Sequence, residues 1–75
     1  MKRGLYRHHK GNLYEVLYTA KHSETEEDLV VYRALYGEYG VWARPQKMFA
    51  ELVYKNGVTS PRFELIQPFN LNSNQ

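Results

Sequence analysis

Leu29-Val30-Val31-Tyr32-Arg33-Ala34-Leu35-Tyr36 is the stretch on which the fold of this chain turns. Its β-branched and aromatic residues suit a pleated, half-buried surface. Both faces are partly apolar, which predicts a central strand, covered on one side by the core and shielded on the other by neighbouring rings. Ahead of it, Ser23 to Asp28 is a polar loop, and Leu13 to Lys21 alternates as a long strand. Tyr14, Val16, Tyr18 and Ala20 share one face of that strand and form the better core candidate. Leu5 to His9 reads as a shorter strand, joined to the long one by turn chemistry at Lys10-Gly11-Asn12.

Beyond Tyr36, Gly37-Glu38-Tyr39-Gly40 turns the chain into a short strand, Val41 to Arg44. Pro45 ends that strand, because proline fixes its own φ and pushes Arg44 out of the helical region. Gln46 to Phe49 then reads as one helical turn, and the alternative is an amphipathic helix reaching Leu52. Alternation from Phe49 to Tyr54 favours return to a strand. Asn56-Gly57 is the clearest hairpin signal, since a tight primed turn needs positive φ at both central residues. Arg62 to Ile66 is a last short strand, bounded by Pro61 and Pro68. Residues 1–66 therefore read as one domain, and the uncharged stretch 67–75 as a polar, mobile tail.

With 75 residues, the chain buries only about 60% of the surface its unfolded form exposes. It has no cysteine, which excludes disulfide staples, thiolate zinc sites and a thiol nucleophile, so packing alone must hold it. The chain is 43% hydrophobic and 24% charged, close enough to globular averages to predict an ordered core. Seven tyrosines make it look polar by mean hydropathy, yet their rings bury like other aromatics. Five or six short strands at this length cannot build two large sheets, but they can curl into a small barrel that protects its own edges.

The net charge of +2 neither demands nor excludes a polyanionic partner, so its distribution matters more. Lys2, Arg3, Arg7, His8, His9 and Lys10 crowd the first ten residues, whereas Glu24, Glu26, Glu27 and Asp28 make one acidic loop. No apolar run approaches a membrane span and no secretory hydrophobic region follows Lys2-Arg3, so a cytoplasmic protein is expected.

Five segments then carry a resemblance: Tyr6-x-His8-His9-Lys10-Gly11-Asn12-x-Tyr14, Ala20-x-His22-Ser23-Glu24-Thr25, Leu29-Val30-Val31-Tyr32, Trp42-x-Arg44-Pro45-x-x-Met48-Phe49 and Pro61-Arg62-Phe63. Together, from about Gly4 to Ile66, the chain resembles the small bacterial family catalogued as domain of unknown function 1653. The resemblance implies an SH3-like β-barrel. It carries no catalytic residue set, ligand or cofactor across.

The residues themselves offer three chemistries. Trp42 and Arg44 alternate onto one face, where they can stack on a base, clamp a carboxylate or grip an extended peptide; alternatively Trp42 anchors the core and Arg44 pairs with Glu51 or Glu64. Arg62 poses the same question beside Phe63, which with Met48 and Phe49 is expected in the core. His8 and His9 are adjacent, so on a strand they point to opposite faces and cannot easily ligate one metal. His22 and Glu24 have i, i+2 spacing, and with His9 or His8 they would supply a three-ligand site; His22-Ser23 also has the residue types of a base and nucleophile. A local turn role explains the His22 loop as well.

The expected architecture is all-β: a small SH3-like barrel of five to six short antiparallel strands, with one helical turn after Pro45. The expected function is a non-catalytic module that binds a protein segment through an aromatic and basic groove of Tyr6, His9, Tyr32, Tyr36, Trp42, Arg44 and Arg62, without cofactor or metal. Single-stranded nucleic acid, held by the N-terminal cations and stacked on tyrosines, is the alternative. A small hydrolase or metal site using His9, His22 and Glu24 is the second. Oligomeric state stays open.

Overall fold

The computed structural model describes residues 1–70. In chain order its elements are β1 (Gly4–His8), β2 (Leu13–Lys21), β3 (Asp28–Ala34), β4 (Val41–Pro45), α1 (Gln46–Phe49), β5 (Leu52–Lys55), β6 (Val58–Pro61) and β7 (Phe63–Pro68). The protein is mainly β, with antiparallel strands and one short helix. Five strands form a sheet in the order β4-β3-β2-β1-β7, and β5 and β6 form a separate hairpin. The expected helical turn is where Pro45 predicts it. β3 is interior to the sheet, as its two-sided apolar pattern requires.

Among the described residues the strands number seven rather than five or six, because the chain after α1 breaks at two places. Asn56 and Gly57 take φ values of 54° and 77°, the left-handed geometry of a two-residue hairpin loop, and so separate β5 from β6. A second break falls at Arg62, whose N–H donates to the Glu51 carbonyl (2.9 Å) while its own carbonyl accepts from the His9 N–H (2.8 Å). Arg62 thereby ties the hairpin base to the end of β1. β7 also runs further than expected: Leu5 pairs with Gln67 and Gly4 with Pro68. The first two residues assigned to the tail are thus part of the sheet, whereas residues 71–75 lie outside the described residues.

A closed barrel is not formed among the described residues, because the edge strands β4 and β7 do not pair. Side chains bridge the gap instead. Phe49 of α1 stacks on Phe63 of β7, with ring centroids 4.0 Å apart and planes 4° apart. The buried cluster under this seam is Tyr6, Val16, Val30, Tyr32, Phe49 and Phe63, with Tyr14 packed against it. Most of its ring pairs meet edge to face, the arrangement favoured by the aromatic quadrupole.

Two bulges set which side chains reach this core. In β2, Val16 lies opposite Tyr32 but Tyr18 lies opposite Val31, so Leu17 is an extra residue and the strand changes face there. Tyr14 and Val16 point to the core as expected, whereas Tyr18 is turned outward, where the Arg3 guanidinium covers its ring at 4.9 Å. Across β1 and β7, Tyr6 pairs with Leu65 while Leu5 pairs with Gln67, which makes Ile66 the extra residue. Gly4 sits at this crossing with no room to spare: a Cβ on it would lie 2.4 Å from the Gln67 carbonyl oxygen and 2.9 Å from the Pro68 Cα. Met48 corrects another expectation, because the four-residue helix turns it to solvent and leaves Phe49 alone to plug the seam.

Candidate binding groove

The strand registers place the functional side chains before any ligand is considered. Val30 lies opposite Arg44 and Tyr32 opposite Trp42, so Arg44 and Trp42 project from β4 on the core-facing side of the sheet. β4 is an edge, however, and nothing covers Trp42, which is 62% exposed. The indole is nevertheless located: a Cβ on Gly40 would come 3.2 Å from its Nε1. With Tyr36, Ala34, Gly37, Glu38 and Gly40 it lines an open hollow of about 610 Å³.

Arg44 reaches across the seam until its guanidinium carbon lies 5.7 Å from the centre of the Phe63 ring. Phe63 is a hub. Its ring also meets Tyr14 at 5.3 Å and His8 at 4.9 Å, both nearly perpendicular. Tyr14 in turn is joined to Tyr36 by a 2.6 Å hydroxyl-to-hydroxyl hydrogen bond. Trp42 and Tyr36 line that hollow, and contacts through Tyr14 and the Phe63 ring link them to Arg44 and His8; these five residues form the rim.

Arg44 carries the positive charge of this rim, and Glu38 a negative one at its Trp42 end. Among the described residues the four ion pairs are Lys21 with Asp28, Arg33 with Glu15, Lys47 with Glu27, and Arg62 with Glu51, so Arg44 has no carboxylate partner. His8 is held below the usual histidine range by desolvation and then by the neighbouring His9, Arg62, Lys10 and Arg44. Its Nδ1 accepts the Lys10 N–H at 3.1 Å, a bond that the neutral ring alone can make. Tyr14 is pushed up to about 12 by desolvation, by its bond to Tyr36 and by the charges that Tyr36 and Tyr32 would carry, with Arg44 acting in the opposite sense. Both phenols have protons to donate, and one bond between them uses only one.

The expected groove residues divide in the structure. Tyr36, Trp42 and Arg44 share the rim. Tyr6 and Tyr32 lie in the core, 4% and 7% exposed, and the Tyr6 hydroxyl is satisfied by the Lys2 carbonyl at 2.6 Å. Arg62 borders the site, but its guanidinium is engaged by Glu51 at 3.2 Å. Between the two histidines it is His8 that faces Phe63, while His9 is exposed beside it with ring centroids 4.4 Å apart. Tyr14, His8 and Glu38 were not among the groove residues expected from the sequence, where Tyr14 was a core candidate and His8 a candidate metal ligand. For His8 a signal existed, since it shares strand parity with the buried Tyr6.

The His9, His22 and Glu24 site is not assembled. His9 follows β1 at the Leu13 end of β2 and His22 follows β2 at its other end, separated by about 26 Å of strand at 3.3 Å per residue. His22 instead caps its own turn, its Nδ1 accepting the N–H groups of Glu24 (3.1 Å) and Thr25 (3.2 Å). No group of three or more His, Asp or Glu side chains among the described residues can hold a metal ion. The N-terminal cations do not form one patch either: Lys2 and Arg3 precede β1, whereas His8 ends it and His9 and Lys10 follow, so the strand separates the two groups. No helix among the described residues is long and apolar enough to cross a membrane.

Comparison with known proteins agrees with this architecture. No match is found among curated proteins. The crystal structure of a DUF1653 protein from Bordetella bronchiseptica superposes with a TM-score of 0.83 at 33% sequence identity, covering 93% of this chain and 92% of that one. A family model described as "Protein of unknown function (DUF1653)" matches residues 4–65, and the chain belongs to that family.

Proposed function

We propose that this domain is a non-catalytic binding module that recognises an extended protein segment along the rim from Trp42 to Arg44. The observation that carries this reading is the exposed indole of Trp42 on the unpaired edge strand β4, beside the Tyr36 ring and two residues from an unpaired guanidinium. Aromatic and Arg side chains dominate the energetics of protein recognition, and an open strand edge can add the main chain of an extended partner. The bent sheet, with its seam filled by Phe49 and Phe63, then serves as the scaffold of an SH3-like barrel left open at the binding side.

Charge favours a protein segment over nucleic acid. Glu38 lines the same hollow as Trp42 and Tyr36, and a carboxylate there opposes a run of phosphates while tolerating the mixed charges of a polypeptide. Selection from a display library of random extended peptides, followed by NMR shift mapping, tests the reading. Selected peptides are expected to shift the signals of Tyr36, Trp42 and Arg44 and to bind at least about tenfold more weakly to Trp42→Ala, as for an aromatic hot spot. A footprint away from β4, or unchanged affinity for Trp42→Ala, would reject it.

A further inference from the structure

Resting on the groove reading above, we infer that Arg44, Tyr14 and Tyr36 form an anion site that takes a carboxylate of the bound segment, either an Asp or Glu side chain or a chain terminus.

Arg44 has five N–H donors in a rigid fork. None has a protein hydrogen-bond or ion-pair partner among the described residues, and the side chain is only partly exposed. Its nitrogens remain open to solvent and available to an acceptor. The guanidinium is held beside the Phe63 ring, its carbon 5.7 Å from the ring centre and within cation–π range. Phe63 is itself clamped from below by Phe49, so the platform belongs to the core rather than to a mobile surface chain.

The tyrosine pair supplies the remaining donor. Whichever phenol donates in the Tyr14–Tyr36 bond, one hydroxyl proton is left over, and Tyr14 packs on the same Phe63 ring as Arg44. A planar carboxylate matches a guanidinium fork bidentately and can accept the leftover O–H. Glu51, the acidic group nearest in role, is committed to Arg62 and leaves Arg44 unopposed.

Phosphate shares much of this chemistry, but the mixed charge of the rim argues against a polyanion. Glu38 stands at the Trp42 end of the groove, and β4 places Trp42 and Arg44 roughly 6.6 Å apart along the strand. That spacing matches alternate residues of one extended polypeptide, with a single negative charge at Arg44.

The test uses the whole protein and named probes. Sodium acetate, inorganic phosphate and sodium chloride are titrated separately at constant ionic strength, while the backbone amide signals of Tyr14, Ala43 and Phe63 are followed by NMR. Acetate is expected to give a saturable shift that chloride does not. The shift is expected to vanish in Arg44→Gln and to weaken in Tyr14→Phe, with backbone spectra showing both variants folded. A shift that persists in Arg44→Gln, no saturable shift with acetate, or much tighter phosphate binding accompanied by capture of an oligonucleotide would overturn the assignment.

Display-selected peptides separate this inference from the reading beneath it. Enrichment of Asp or Glu, or of free over amidated carboxyl termini, with at least about tenfold weaker binding to Arg44→Gln, supports the anion site and tells the two carboxylate sources apart. Groove binding without any acidic preference overturns the anion site while leaving the binding module standing.

Discussion

Phe49 and Phe63 lie ring on ring at 4.0 Å and 4°, and this single contact joins α1 to the edge strand β7 across a seam that no strand pairing closes. Both rings are buried, so the contact combines a large transfer free energy with a bridge, alongside that of Arg44 to Phe63, between the two ends of the sheet.

Phe49→Ala is therefore expected to cost about 3–5 kcal/mol, as for other buried Phe truncations. Against the roughly 5–15 kcal/mol that holds a domain, such a loss leaves a marginal fold. Urea denaturation followed by far-UV circular dichroism measures it. A cost below about 1 kcal/mol would show that the seam is held by something else.

Gly4→Ala tests the crossing of β1 and β7. The added methyl meets main-chain atoms of Gln67 and Pro68, which cannot rotate aside, so the two strands must separate locally. An overpacking cost of about 1–3 kcal/mol follows. Thermal melting should record it, and faster hydrogen exchange is expected at the Phe69 N–H, which donates to the Arg3 carbonyl at 3.1 Å. Unchanged exchange at that amide would contradict the steric account.

The pH dependence of stability should carry the signature of His8. Its affinity for a proton is lowered in the fold, by desolvation and then by His9, Arg62, Lys10 and Arg44, whereas the unfolded chain titrates near the ordinary histidine value of about 6.5. Below about pH 6.5 the unfolded state thus binds more protons, and stability falls with decreasing pH until the folded ring titrates too. His9 is shifted in the same direction, by desolvation and then by Arg62, Lys10 and Lys55. Urea midpoints across this range should drop on acidification, and less steeply in His8→Gln. An equal slope in that variant would remove His8 as the cause.

Trp42 is the only tryptophan, which makes it a direct reporter of the groove. At 62% exposure its fluorescence should be quenched readily by acrylamide in the free protein and protected by a groove-bound peptide. Trp42→Ala should change stability by no more than about 0.5 kcal/mol, as at other open surface positions. A large loss would mean that the indole is structural.

Much of the fold was legible because it depends on neighbours along the chain. The alternation in Leu13 to Lys21, the strand stop at Pro45, the helical turn after it and the Asn56-Gly57 hairpin all follow from steric rules a few residues long. The outward turn of Tyr18 was not legible, because a bulge at Leu17 reverses the strand parity and no local residue announces it. Nor was the exposure of Met48, which depends on how short α1 is when it meets β7.

The candidate groove divides in the same way. Composition and spacing alone marked Tyr36, Trp42 and Arg44 as a side-chain set suited to recognition, since alternate positions of a strand must share a face. The folded sheet determined the rest: it withdrew Tyr6 and Tyr32 into the interior, chose His8 over His9, separated His22 from both, and set Tyr14 against Tyr36 across 22 residues of chain. Local conformational preference governs where a strand runs and which positions alternate. Curvature and register, which arise only when distant strands pack together, govern which of those positions meet.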